Sequence, residues 1–150
     1  MKTNLIVDID GTVAKVGDRL KHIQQERPDW DSFYKGCGED EPHTDILLMA
    51  VTLSMKLNLR LVFCTGRREF HRAETEEWLM NHAVLGRGEY SLLMRPTGDK
   101  RHDTQVKPEL LKNAGFDTDN VWMILEDRNS MVAKWRELGF RCLQVAEGDF

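Results

Sequence analysis

Leu5-Ile6-Val7-Asp8-Ile9-Asp10-Gly11-Thr12 decides the reading of this chain, because an apolar run breaks abruptly onto two carboxylates and a glycine. Consecutive apolar residues without polar alternation describe a strand buried on both faces of a parallel sheet. In an open parallel sheet, ligands bind beyond the carboxyl ends of the strands, so the loop from Asp8 to Thr12 stands where a site belongs. Asp8 and Asp10 repel each other there, and neither has an obvious ion-pair partner in the local sequence. A divalent cation resolves that conflict, and all-oxygen ligands favour magnesium over softer metals. Taken alone, Asp-x-Asp-Gly is equally at home as a turn.

Working outward, four more strand-sized runs follow: Leu61-Val62-Phe63, Ser91-Leu92-Leu93-Met94, Val121-Trp122-Met123-Ile124-Leu125 and Cys142-Leu143-Gln144-Val145. Helical patterns lie between them and supply the crossovers that parallel strands require. The expected fold is α/β, a parallel five-stranded sheet flanked by helices, in a single domain over residues 1–150. The helix expected over Pro42 to Leu57 is apolar nearly all round and should pack deeply, whereas the one over Arg68 to His82 is polar. The last two helices should end in Ala114-Gly115-Phe116 and Leu138-Gly139-Phe140, with glycine as the left-handed cap. In the final helix, Met131, Val132, Trp135 and Leu138 form one stripe facing the sheet. Residues 16–41 break the alternation, being polar and carrying Pro28, Gly36 and Gly38, and read either as a small inserted cap or as a long surface loop.

Composition narrows the function. Acidic residues outnumber basic ones by 25 to 21, and the net charge of -4 gives no global attraction to nucleic acid or anionic membrane. Any phosphate binding must therefore be local. Cys37, Cys64 and Cys142 are odd in number and widely spaced, which fits reduced thiols in a cytoplasm rather than a disulfide framework. Neither a signal peptide nor a membrane-spanning stretch is expected.

Three later features share the geometry of the Asp8 loop. Thr65-Gly66-Arg67 follows the second strand, with a hydroxyl and a guanidinium suited to an oxyanion at a helix start. Glu126-Asp127-Arg128 follows the fourth strand. Lys107-Pro108 precedes a helix, with proline at the first helical position and lysine at the cap, where ammonium and amides can meet one anion. Lys107 by itself reads equally as a solvated surface lysine, and Arg67 as a salt-bridge partner of Glu69 or Glu126.

The order Asp8-x-Asp10-Gly11-Thr12, Thr65-Gly66-Arg67, Lys107, Glu126-Asp127 resembles the four motifs of the haloacid dehalogenase superfamily. Asp127-Arg128, Trp135-Arg136, Gly139 and the ending Gln144-Val145-Ala146-Glu147-Gly148-Asp149-Phe150 resemble the 3'-phosphatase domain of phage polynucleotide kinases. The resemblance implies a Rossmann-like strand order in the sheet, and a magnesium-dependent phosphatase with Asp8 as nucleophile and Asp10 as general acid and base. It implies Mg2+ held by Asp8, the Asp10 carbonyl and Asp127, with Glu126 nearby or acting through water. Thr65, Gly66, Arg67 and Lys107 would bind phosphate. No G-x-x-x-x-G-K-[ST] loop is present, so a kinase, if one takes part, is expected on a separate chain. If the resemblance reflects origin, the setting is the cytoplasm of an infected host.

The substrate is expected to be a phosphorylated nucleic-acid end, with a free nucleoside monophosphate as the alternative. Arg95, Lys100, Arg101 and His102 form a basic run that can follow a nucleic-acid backbone, or a solvated loop balanced by Asp99 and Asp103. Arg95, Arg101 and Arg128 are the candidate substrate contacts. Trp30, Phe33 and Tyr34 can stack on a base or form the cap's own core. A phosphoacceptor receiver module carries similar residue types, but receivers place the accepting aspartate after the third strand, which here ends in Arg95.

Overall fold

The computed structural model describes residues 1–86 and 88–150. Its strands are β1 Asn4–Val7, β2 Arg60–Arg68, β3 Tyr90–Arg95, β4 Val121–Arg128 and β5 Cys142–Gly148. The helices are α1 Trp30–Tyr34, α2 Thr44–Lys56, α3 Arg72–Ala83, α4 Asp103–Asn113 and α5 Asn129–Glu137. The five strands are all parallel, as the apolar runs predict, and lie in the order β3-β2-β1-β4-β5, the Rossmann-like arrangement that the family resemblance implies.

Side-chain alternation explains why the runs are continuously apolar. Leu5, Val7, Leu61, Phe63, Leu92 and Met94 point to one face, where they meet Leu47 and Ala50 of α2 and Trp78 and Leu79 of α3. Ile6, Val62, Cys64 and Ile124 point to the other, against Leu111 of α4 and Met131, Val132 and Trp135 of α5. Trp78 and Trp135, each 1% exposed, anchor the two helical layers. Each fully buried large apolar side chain contributes roughly 1.5–3 kcal/mol.

Three local expectations change. Only Leu47, Ala50 and Ser54 of α2 are buried, while Leu48 and Met55 are 63% and 74% exposed. One helix face suffices to cover the sheet, so an all-round apolar sequence leaves the rest outside. Leu138, expected in the sheet-facing stripe, is 40% exposed at the end of α5. The helix expected to begin at Pro108 begins at Asp103, with the His102 ring accepting the Thr104 N–H at 3.2 Å, which places Lys107 inside the helix rather than at its cap. Proline removes only its own hydrogen bond there, and buried Val106 and Leu111 hold the helix on either side. Both glycine caps form as expected, with the Phe116 and Phe140 amides reaching back to the Leu111 and Trp135 carbonyls at 2.9 and 3.0 Å.

Residues 16–41 leave and return at one point. The Lys15 amide donates to Glu41 at 2.8 Å and the His43 amide to Val13 at 2.7 Å. Between these stitches lie α1 and two short 3-10 turns, Gly17–His22 and Cys37–Glu39, around a cluster of Val16, Phe33 and Tyr34 backed by Leu20, Ile23 and Trp30. Among the described residues, no helix is long and apolar enough to cross a membrane.

Candidate active site

Val7 pairs with Phe63 on one side and Leu125 on the other, so Asp8 emerges where the strand order reverses, between the ends of β2 and β4. The Asp8 amide donates to Leu125 at 3.0 Å, and the amides of Thr12, Val13 and Ala14 then converge on the Ile9 carbonyl at 3.1, 3.0 and 2.9 Å. Gly11 adopts φ +85°, and a Cβ there would lie 2.1 Å from Asp127 Oδ2. The turn thus needs glycine both for its backbone and for the approach of Asp127.

Lys107, 2% exposed, reaches across from α4 and donates to Asp8 Oδ1 at 2.6 Å and Glu126 Oε2 at 2.9 Å. Thr12 Oγ1 lies 2.8 Å from Asp8 Oδ2 and 3.2 Å from Asp127 Oδ1, so its one proton serves either carboxylate. Donor atoms of Asp8, Glu126 and Asp127 lie within 4.8 Å of one another. Burial, aggravated by Glu126, pushes Asp8 up to about 7 despite Lys107. Burial and the neighbouring Asp8 push Asp127 up to about 7. Burial opposes charge on Lys107 as well, yet Asp8 and Glu126 hold its ammonium well above its ordinary value. Three carboxylates against one ammonium leave excess negative charge in a buried, all-oxygen site, which fits a hard dication. Of the three, Glu126 has the least free lone-pair capacity, because its Oε1 already faces the Asp127 and Arg128 amides at 3.2 and 3.4 Å.

Asp10 faces a different environment. Arg67 donates to it through Nε and Nη2, at 3.1 and 2.8 Å, and Arg19 through Nη2 at 2.8 Å. Both arginines continue to Asp40, Arg67 at 3.2 Å and Arg19 Nε at 2.8 Å. Burial alone would raise Asp10, but the Arg67 and Arg19 guanidiniums win and lower its carboxyl to about 2. The partners of Arg67 are therefore Asp10 and Asp40, rather than the Glu69 or Glu126 suggested by sequence proximity. Arg67 is fully buried behind those aspartates.

Thr65 is also fully buried, its Oγ1 accepting the Arg67 amide at 3.1 Å. Gly66 lines the space above Asp8 and Lys107, a narrow volume of about 20 Å³ walled by Trp30, Phe33, Tyr34, Arg128 and Phe150. Trp30, Tyr34, Asp103 and Arg128 also border an adjoining cavity of about 420 Å³ that reaches Arg68, Arg95, Lys100, Arg101 and His102. Arg95 donates to the Gly66 carbonyl at 3.0 Å and pairs with Asp103, and Arg128 pairs with Asp103 at 2.9 Å. Arg101 is held by Asp99 and Glu109 at 2.7 and 2.8 Å. Arg95 and Arg101 of the basic run are thus engaged with acids of their own loop and helix. Trp30 and Tyr34 stack at 6.1 Å between centroids, serving the cluster of residues 16–41 while facing both spaces.

Sequence reasoning missed Arg19, Asp40, Asp103 and Phe150. Arg19 and Asp40 lie in the irregular segment, where no periodicity points to a partner. Asp103 read as a loop acid balancing a basic run, yet it is buried between two arginines. Phe150 reaches the site because β5 ends level with β4, Gly148 opposite Arg128, and its ring lies 5.3 Å from the Arg128 guanidinium.

Comparison with known proteins adds relatives to this geometry. The family model described as the polynucleotide kinase PNKP phosphatase domain matches residues 2–150. Two structures of the Pnkp1/Rnl/Hen1 complex, one described as an RNA repair complex, are 28% identical and superpose with TM-scores of 0.82 and 0.80. They cover all of this chain, which spans 44% and 48% of theirs. A protein of Autographa californica nuclear polyhedrosis virus, named for a bifunctional polynucleotide kinase/RNA ligase, is 27% identical over 134 residues, 89% of this chain and 18% of its own length. A haloacid dehalogenase-like family hydrolase from Streptococcus pneumoniae shares the fold at 14% identity and a TM-score of 0.65, over 95% of this chain and 84% of that one. The chain thus spans less than half the length of the first three of these relatives.

Proposed function

The chain belongs to the family of polynucleotide kinase PNKP phosphatase domains and is a haloacid dehalogenase-type phosphatase, and on that premise we propose that it removes 3'-phosphate from nucleic-acid ends through a phosphoryl intermediate on Asp8. The observation that carries this reading is the placement of Asp8, buried against Lys107 at 2.6 Å and opening onto the narrow space that joins the larger cavity.

In this reading an Asp8 oxygen attacks phosphorus and displaces the terminal 3'-alcohol, splitting one difficult displacement into two easier ones. Lys107 orients Asp8 and supplies a preorganised positive charge to the phosphoryl oxygens. Mg2+ held by Asp8, the Asp10 carbonyl and Asp127 would neutralise charge on the phosphate, with Glu126 in support through Lys107. Thr65 and Gly66 shape the turn that receives the phosphoryl group.

Asp10 hands a proton to the leaving alcohol and later takes one from the water that clears Asp8. Its carboxyl, lowered to about 2 by Arg67 and Arg19, is ionised and holds no proton to give as it stands. An entering phosphate that draws on those guanidiniums weakens their hold on Asp10 and raises its proton affinity, so that Asp10 takes up a proton from solvent before it donates one to the leaving alcohol.

The adjoining cavity supplies room for the rest of the substrate. Arg68, Lys100 and Arg128 border it together with the Trp30 and Tyr34 rings, a set able to hold a backbone phosphate and a base. The carboxylates of Asp29, Asp31 and Asp99 in the same wall moderate that attraction. Residues 16–41 act as a small cap in this account. A second reading, phosphatase action on free nucleoside monophosphates, is favoured by the Trp30 and Tyr34 rings, which border both spaces and can clamp a single base.

Phosphate release from a 3'-phosphorylated oligonucleotide, compared with 3'- and 5'-mononucleotides in Mg2+, separates the two. Preference for the oligonucleotide supports end processing, whereas hydrolysis of mononucleotides alone moves the assignment to a nucleotidase. Kinase and ligase steps on the same ends would come from other domains or chains, as the names of the relatives suggest. The three free, buried cysteines suit a cytoplasmic setting, which for a viral chain is the host's.

A further inference from the structure

Cys37, His71 and Glu74 come together outside the Asp8 cluster, with the His71 ring 5.9 Å from that of Tyr34. Cys37 begins the 3-10 turn Cys37–Glu39, His71 ends the 3-10 turn Glu69–His71 and caps α3, and Glu74 lies in the first turn of α3. One donor atom from each lies within 4.8 Å of the others. The three-residue spacing puts His71 and Glu74 on one helix face, where they are hydrogen-bonded to each other. Gly38, next to Cys37 in the chain, lies close to that face: a Cβ on Gly38 would stand 3.4 Å from the Glu74 Cβ.

We propose that Cys37, His71 and Glu74 form a second metal site, distinct from the Asp8 cluster, for a borderline dication such as Zn2+. A thiol, an imidazole and a carboxylate are the donor set of tetrahedral zinc, whereas the all-oxygen group at Asp8 suits magnesium. Access also fits. Cys37 is fully buried and the His71 side chain is 13% exposed, while that of Glu74 is 40% exposed, leaving one side open for a water as fourth ligand. Binding breaks the Cys37 S–H bond, forms a metal–sulfur bond and releases the proton to solvent.

The site would tie the returning end of residues 16–41 to α3. Asp40, three residues beyond Cys37, holds Arg19 and Arg67, and its carbonyl accepts the Trp78 Nε1–H at 2.7 Å. Occupancy therefore stiffens the anchor of the segment that carries Arg19 to Asp10, and it does so whether or not the substrate assignment is right.

The test uses the full chain, stripped by chelation and then saturated with Mg2+, titrated with Co2+ as a spectroscopic probe. One equivalent is expected to produce a thiolate-to-cobalt charge-transfer band that Zn2+ abolishes. Cys37→Ser removes the band, and His71→Ala weakens binding by more than about tenfold. Cobalt on the carboxylates of the Asp8 cluster gives no such band. Absence of the band in the wild-type protein overturns the proposal without any variant, and its persistence in folded Cys37→Ser assigns the metal elsewhere. Zn2+ is also expected to raise the Tm of wild type but not of Cys37→Ser, and an equal rise in both contradicts the site.

Discussion

Arg67 meets Asp10 side-on, its Nε 3.1 Å from Oδ2 and its Nη2 2.8 Å from Oδ1. This forked pairing fixes the carboxylate plane as well as its charge, which a lysine cannot do. Arg19 reaches Oδ1 of the same carboxylate from residues 16–41, so that segment and the end of β2 converge on one acid. The proton-transfer group of the proposed mechanism is thereby also the ionic latch between segment and sheet.

Removing one side of the latch should therefore cost both stability and turnover. Arg67→Ala leaves Asp10 and Asp40 buried with Arg19 alone, and is expected to lower unfolding free energy by about 3 kcal/mol, read from denaturant midpoints. Arg19→Ala, whose side chain is 11% exposed where that of Arg67 is 0%, should cost less. Equal stability in both variants and wild type would show that the cluster is idle.

Asp10→Asn removes the proton carrier while keeping its shape. Turnover is expected to fall by roughly 10²–10⁴. Steady-state kinetics with an activated leaving group should recover part of the loss in the first step, since such a group needs no proton. A uniform loss with all leaving groups contradicts an acid role.

The Asp10 carboxyl, lowered from 3.8 to about 2, contributes stability that is fully present above pH 3.8 and lost as pH falls through about 2. Asp8 and Asp127 run the other way. With folded values raised from 3.8 to about 7, the stability they contribute to the metal-free protein is fully present below pH 3.8 and lost as pH rises through about 7. Mg2+ bound to the ionised carboxylates offsets that loss, so the Tm increase on adding Mg2+ should be larger at about pH 8 than at about pH 5. An equal increase at both would place the ion elsewhere.

Gly11→Ala drives a Cβ to within 2.1 Å of Asp127 Oδ2, whereas Gly17→Ala shares the positive φ with nothing within 4 Å. The second substitution reports backbone strain alone, about 1–2 kcal/mol. The first should add loss of Mg2+-dependent stabilisation and of phosphatase activity. If Gly11→Ala behaves like Gly17→Ala, Asp127 is not held where the site requires it.

The strands were legible because parallel strands covered on both faces leave unbroken apolar runs, as Leu61-Val62-Phe63 does. Asp8 and Asp127 were legible as carboxylates at strand ends, in an order that chance rarely produces, while Lys107 was singled out but misplaced, expected at a helix cap and found inside α4. Burial within α2 was not, because an all-round apolar pattern carries no phase, and Leu48 and Met55 look like core until the sheet's reach is known. Arg19 and Asp40 stayed hidden for another reason. Their pairing depends on the path of residues 16–41, where helical turns too short for periodicity place side chains by tertiary contact.

Nucleophilic attack by Asp8 is tested most directly by rapid acid quench of a turnover mixture containing 3'-labelled oligonucleotide and Mg2+, followed by peptide mapping of the phosphoryl label. The account predicts transient label on the peptide that contains Asp8, absent in Asp8→Asn. Turnover without label on that peptide, or label that survives Asp8→Asn, would contradict it.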